Sequence, residues 1–177
     1  AFNAALAHET LAARAQKGAP LETDVVYSPN AMMRPLLAAL LPAIRDAIDA
    51  YMARADELGL EAALGSLPGA ARLMHGCTIL REGGSNGQHI HDRADISCVY
   101  HVQVPAEIAE ATDNRGALTL GACDLYAGAF EPCWGERLLR PLPGWLTLFP
   151  SHIFHDVIPT RSSEPLISVA ADLGRAG

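Results

Sequence analysis

The chain reads as an α+β protein in which helices come first and a small antiparallel β-domain, a sandwich or barrel, follows. Three observations predict this. Apolar residues recur at three and four positions in the first third and give way, after Ala70, to strand-like runs. Those runs are short and are broken at Pro105, Asn114-Arg115-Gly116, Pro141 to Gly144 and Pro159 to Pro165, the punctuation of an all-β assembly. With 177 residues, 50% of them hydrophobic, the chain can fill one domain with a real core but not two.

The elements follow in order. Ala1 to Gln16, rich in alanine and leucine, predicts a helix that Lys17-Gly18-Ala19-Pro20 stops. Glu22 to Tyr27 is a short strand, and Ser28-Pro29-Asn30 supplies a turn and a helix cap. The clearest helix covers Ala31 to Ala53. Its stripe of Leu37, Leu40, Leu41, Ile44, Ile48, Tyr51 and Met52 lies mostly opposite Arg45, Asp46, Asp49 and Arg54. Such a stripe is core packing, not a cofactor site. Gly59 to Leu67 predicts a short helix ended by Pro68-Gly69. Arg72 to Leu80 is strand-like, Gly83-Gly84-Ser85-Asn86-Gly87 is a loop, and strands are expected near 88–92, 96–104, 117–121, 137–141, 145–149 and 165–172. The division is therefore one domain over 1–177, with mainly helical support in 1–69 and a β core in 70–174.

Composition excludes several classes of function. Net charge is −7 and Lys17 is the one lysine, so the clustered cations that bind nucleic acid or an anionic membrane are missing. No run reaches the ~18 apolar residues of a membrane span. Ala1 to Ala15 lacks the basic start of a signal peptide and carries Glu9 and Arg14. Cys77, Cys98, Cys123 and Cys133 form no Cys-x-x-Cys pair, and three of them sit in or beside apolar runs. Reduced cysteines of that kind point to the cytoplasm. Nothing in the chain excludes a homodimer.

The chemistry concentrates on histidine. Of seven histidines, five (His89, His91, His101, His152 and His155) lie between residues 89 and 155. In an extended chain His89 and His91 share a face, and two adjacent imidazoles can hold iron(II), zinc or copper. A third ligand is offered where the strand Leu146 to Phe149 ends in a proline-marked turn that leads to His152 and His155. Asp92 and Asp95 are carboxylate alternatives, although Asp92 is one residue out of phase with His91.

The order of glycine-rich loop, His89-Ile90-His91, Ser97-Cys98-Val99-Tyr100, Leu148-Phe149-Pro150-Ser151 with His155, and closing Ile167-Ser168 strand resembles a known family. It is the family of iron(II)/2-oxoglutarate-dependent oxygenases often found beside tetratricopeptide repeats, and the resemblance covers about Thr78 to Leu173. It implies a double-stranded β-helix, a cupin-like jelly roll, with the N-terminal helices on the outside and the metal at one open end. It makes His89, His91 and His155 the metal ligands, with His91 where prolyl hydroxylases place an Asp, and so a three-histidine site. One departure concerns the co-substrate. The arginine that anchors the distal carboxylate of 2-oxoglutarate in the family is Leu166 here, which leaves Arg161 first and Arg140 second as substitutes, beside Tyr100 and Ser168. The family's second tyrosine is His101, read as a hydrogen-bonded strand histidine with a pocket role as the alternative. His152 is read as structural or at the rim.

The leading expectation is an iron(II)-dependent oxygenase that uses 2-oxoglutarate and O2 to hydroxylate a small molecule or a protein. A cupin-like three-histidine metalloprotein without 2-oxoglutarate (another dioxygenase or a zinc enzyme) and a non-catalytic binding module are the alternatives.

Overall fold

The computed structural model of the chain describes residues 1–16, 19–27, 34–59, 71–121, 123 and 132–175. Helix α1 spans Phe2–Ala15 and α2 spans Pro35–Glu57, with strand β1 (Thr23–Tyr27) between them. Then come β2 (Ala71–Leu80), β3 (Asn86–His89), β4 (Ile96–Gln103) and the short α3 (Ala106–Ala109). β5 (Leu118–Leu120), β6 (Arg137–Leu139), β7 (Leu146–Pro150), β8 (His155–Val157) and β9 (Leu166–Arg175) complete the order. The expected helix stop at Lys17-Gly18, the turn Ser28-Pro29-Asn30, the helix start at Ala31 and nearly all of the expected helix 59–67 lie outside the described residues.

The strands form two antiparallel sheets, β1-β2-β9-β4-β7 and β3-β8-β5-β6. Alternation gives the large sheet two different faces. On one, Cys77, Ile79, Ile96, Cys98, Val102, Ile167, Val169, Ala171 and Leu173 meet Leu6 of α1 and Leu37, Ile44 and Ile48 of α2 in a single core. The helices thus cover the sheet from outside. On the other face Thr78, Ser97, Val99, His101, Ser168, Ala170 and Asp172 line a cavity of about 780 Å³ shared with His89, Leu118, His155 and Val157 of the small sheet. Two antiparallel sheets with the chain crossing between them and a site enclosed are a double-stranded β-helix.

Three details differ from the sequence reading. β1, in the helical third, is the edge strand of the large sheet, paired from Thr23↔Leu80 to Tyr27↔Gly76. β3 ends at His89, so His91 lies beyond it in the connection to β4. β8, which no periodicity announced, pairs with both β3 and β5. Three residues are too few to display a period of two.

The glycine loop that leads into β3 is held closely. Gly83 has φ of 81°, and a Cβ on Gly84 would collide with the Glu22 carbonyl oxygen.

Candidate metal centre

β3 and β8 bring His89 and His155 into register as Cα partners. His91 arrives by a different route. Its N–H donates to the Ser151 carbonyl (3.0 Å), the Ser151 N–H to Asp95 O (3.0 Å), and the Asp95 N–H to Leu173 O (2.8 Å). These bonds pin the 91–95 connection to β9 and to the end of β7. The three rings then lie with centroids 4.2 Å (His89–His155), 5.0 Å (His89–His91) and 5.0 Å (His91–His155) apart. One ring nitrogen from each falls within 4.8 Å of the other two.

The remaining ring nitrogens show how the set is oriented. His89 Nδ1 lies 2.6 Å from Gly87 O, His155 Nδ1 3.0 Å from Ile153 O, and His91 Nδ1 2.6 Å from Asp172 Oδ1. Each partner is an acceptor, so each Nδ1 carries the proton and donates. That leaves Nε2 with a free lone pair on all three rings, the form a metal requires. Burial pushes the His155 pKa down to about 4, so it is a neutral imidazole at neutral pH. The hydrogen bond that His91 donates to the Asp172 carboxylate raises the His91 pKa against its burial. The donor set fits iron(II): imidazole nitrogens suit iron, zinc and copper alike.

Asp172 is the residue the sequence reading missed. Its Oδ1 accepts from His91 and from Ser97 Oγ at 2.7 Å, and Ser97 Oγ is 2.8 Å from Ser151 Oγ. No local pattern announces it, since Ser97 and Asp172 meet only as Cα partners across β4 and β9. Neither expected carboxylate, Asp92 or Asp95, joins the cluster. Asp92 is exposed in the turn after His91, and Asp95 is held through its backbone to β9 and the β7 end. Phe149 packs edge-on against His155 with centroids 4.8 Å apart. His152 is exposed and outside the cluster.

The co-substrate candidates separate. Ser168 lines the cavity. Tyr100 does not: it points to the helix side, where its hydroxyl donates to Asn3 Oδ1 at 2.7 Å. Arg161 is exposed at φ 46° beside Asp113 and Arg115, away from the cavity. Arg140 is also exposed and donates to the Ala111 carbonyl. Leu166 is 3% exposed in an apolar cluster with Leu80 and Ile108. His101, expected to be satisfied, has no partner for its Nδ1.

The fold and the histidine set define a jelly-roll metalloprotein with a site enclosed between its sheets. The chain belongs to the family described as "Putative 2OG-Fe(II) oxygenase", whose model matches residues 77–172, and iron(II) and 2-oxoglutarate are the cofactor and co-substrate of that family of enzymes. Similar solved structures include a Pseudomonas putida prolyl-4-hydroxylase, 19% identical, over 99% of this chain and 87% of that one with a TM-score of 0.56. A Trichoplax adhaerens prolyl hydroxylase, solved with a hypoxia inducible factor peptide fragment, is 13% identical over 98% and 78%, with a TM-score of 0.63. The non-heme alpha ketoglutarate dependent epimerase SnoN from nogalamycin biosynthesis is 17% identical over 97% and 74%, with a TM-score of 0.58. At these identities the likeness is one of fold. Among curated proteins, none matches the chain.

Proposed function

We propose that His89, His91 and His155 hold iron(II) and that the chain uses 2-oxoglutarate and O2 to hydroxylate a C–H bond of a small molecule or a protein side chain. The observation that carries this is the convergence of three imidazoles, each held through Nδ1, in the inter-sheet cavity of a member of this family. When bound, iron(II) supplies the redox centre at which the co-substrate and oxygen react. The protein's part is orientation and a dry wall. The Gly87 and Ile153 carbonyls fix two of the rings, and the Asp172 carboxylate makes His91 a stronger donor to the metal. Val99, Leu118, Phe149 and Val157 keep the cavity apolar around the histidines.

Burial pushes the Cys98 thiol up to about 12, so it offers no competing thiolate. Among the described residues no helix is long and apolar enough to cross a membrane. A cytoplasmic location is supported by the four free cysteines, and the net charge of −7 argues against a nucleic-acid partner.

A second reading, a three-histidine metalloprotein that does not use 2-oxoglutarate, is favoured by one observation: the apolar burial of Leu166. Metal analysis with a succinate assay separates the readings. The expected result is one iron per chain and succinate formation that depends on 2-oxoglutarate, both lost in His155→Ala. A zinc-loaded chain without succinate formation would favour the second reading. A chain that retains no metal would leave the binding module.

A further inference from the structure

Along the inner face of the large sheet the cavity changes character in rows. The row nearest the histidines carries Met74, Asp172 and Ser97 in register, and the next carries Gly76, Ala170 and Val99. The third is polar: Thr78 is the Cα partner of Ser168, and Ser168 of His101. All three of these side chains line the cavity. Beyond them Leu80 pairs with Leu166, and these two pack with Ile108, Val104 and Val157 into an apolar floor.

His101 stands out in the polar row. It is 5% exposed, and its Nδ1 is itself sealed from solvent without a hydrogen-bond partner, so a ligand in the cavity can meet the ring only at its outer edge, where Nε2 lies. Burial alone pushes its pKa down to about 4, so no neighbouring carboxylate answers the ring.

On the reading that 2-oxoglutarate binds in this cavity, we propose that the His101 imidazole, flanked by the Ser168 and Thr78 hydroxyls, receives the distal carboxylate of the co-substrate. A histidine on β4 thereby replaces the arginine of the last strand. Leu166 and its apolar neighbours close the place where that arginine would begin, and a bare carboxylate does not settle on a leucine floor. Arg161 and Arg140 lie outside the cavity. Among the described lining residues the one fixed cation is Arg72. Its partner is Gly174, on the far side of Asp172 from Ser168, so it cannot serve the polar row. Consecutive inner-face rows are two residues, roughly 6.6 Å, apart. A short imidazole rooted one row nearer the histidines therefore reaches the space that a long guanidinium reaches from the floor. Three neutral donors, one ring N–H and two hydroxyls, stand in for one charged fork.

The test uses the full chain loaded with zinc in place of iron, so that binding is read without turnover. Calorimetry compares 2-oxoglutarate with 2-oxopentanoate, which has the same keto-acid head and no distal carboxylate. The parent is expected to bind 2-oxoglutarate at least tenfold more tightly. His101→Phe, which keeps the ring volume, and His101→Ala should both lose that preference while zinc content and 2-oxopentanoate affinity stay as in the parent. A preference that survives in either zinc-loaded variant, or a parent that binds both acids alike, would overturn the assignment of His101. Binding of neither acid would overturn 2-oxoglutarate use itself, and the assignment with it.

Discussion

Asp172 stands outside the three-histidine cluster, yet it holds the His91 ring and shares its oxygen with Ser97. Partners of this kind typically change metal affinity by about 10–100-fold when removed. Asp172→Ala should therefore weaken metal retention by that factor in a chelator competition, with the helical circular dichroism unchanged. Asp172→Asn keeps an acceptor oxygen for His91 and should lose less. Equal retention in parent and Asp172→Ala would show that the backbone of the 91–95 connection alone positions His91. The convergence of His89, His91 and His155 was legible, because a His-x-His in an extended stretch puts two imidazoles on one face and a strand-end histidine can join them. Asp172 was not, since its role exists only once β4 and β9 pair, 75 positions apart in sequence. His101 was half legible: its place on an inward strand position could be read, its missing partner could not.

At the scale of elements, α2 is the part best specified by local sequence. The spacing of Leu37, Leu40, Ile44 and Ile48 survives as four buried positions on one side of a 23-residue helix. Leu41, which shares the spacing, is only partly buried at the edge of the core. Ile44→Ala should then cost about 2–5 kcal/mol in urea unfolding, the range for a buried cavity, and Leu41→Ala distinctly less. Equal losses at the two positions would mean that the helix is seated differently on the sheet. In the small sheet β5 and β6 fall inside the strands expected near 117–121 and 137–141, and β8 was the strand that could not be read. β8 has three residues, and pairing with β3 and β5 is what makes it a strand.

Across the whole molecule, Asp24 fastens the helical third to the β-domain. It is 5% exposed and lies 2.6 Å from Arg14 Nε of α1 and 2.6 Å from Arg81 Nη1 just past β2. Burial alone would raise its pKa. Hydrogen bonds from Arg14, the Leu21 amide and Arg81 outweigh that and hold it below the ordinary 3.8. The folded state therefore binds fewer protons than the unfolded one over that interval, so Asp24 stabilises the fold above the unfolded value. The contribution is lost as pH falls through the lower folded value. Asp24→Asn should cost about 3 kcal/mol at neutral pH, because two guanidinium groups, one of them buried, lose their counter-charge. Urea unfolding of parent and variant from pH 7 to pH 3 should show the gap constant down to about pH 5. It should narrow below pH 4, as the parent's carboxylate begins to take up the proton that the amide never carries. A gap that holds its full size at pH 3 would assign the loss to the shape of the side chain, and the charge of Asp24 would then not be what joins helix, edge strand and sheet.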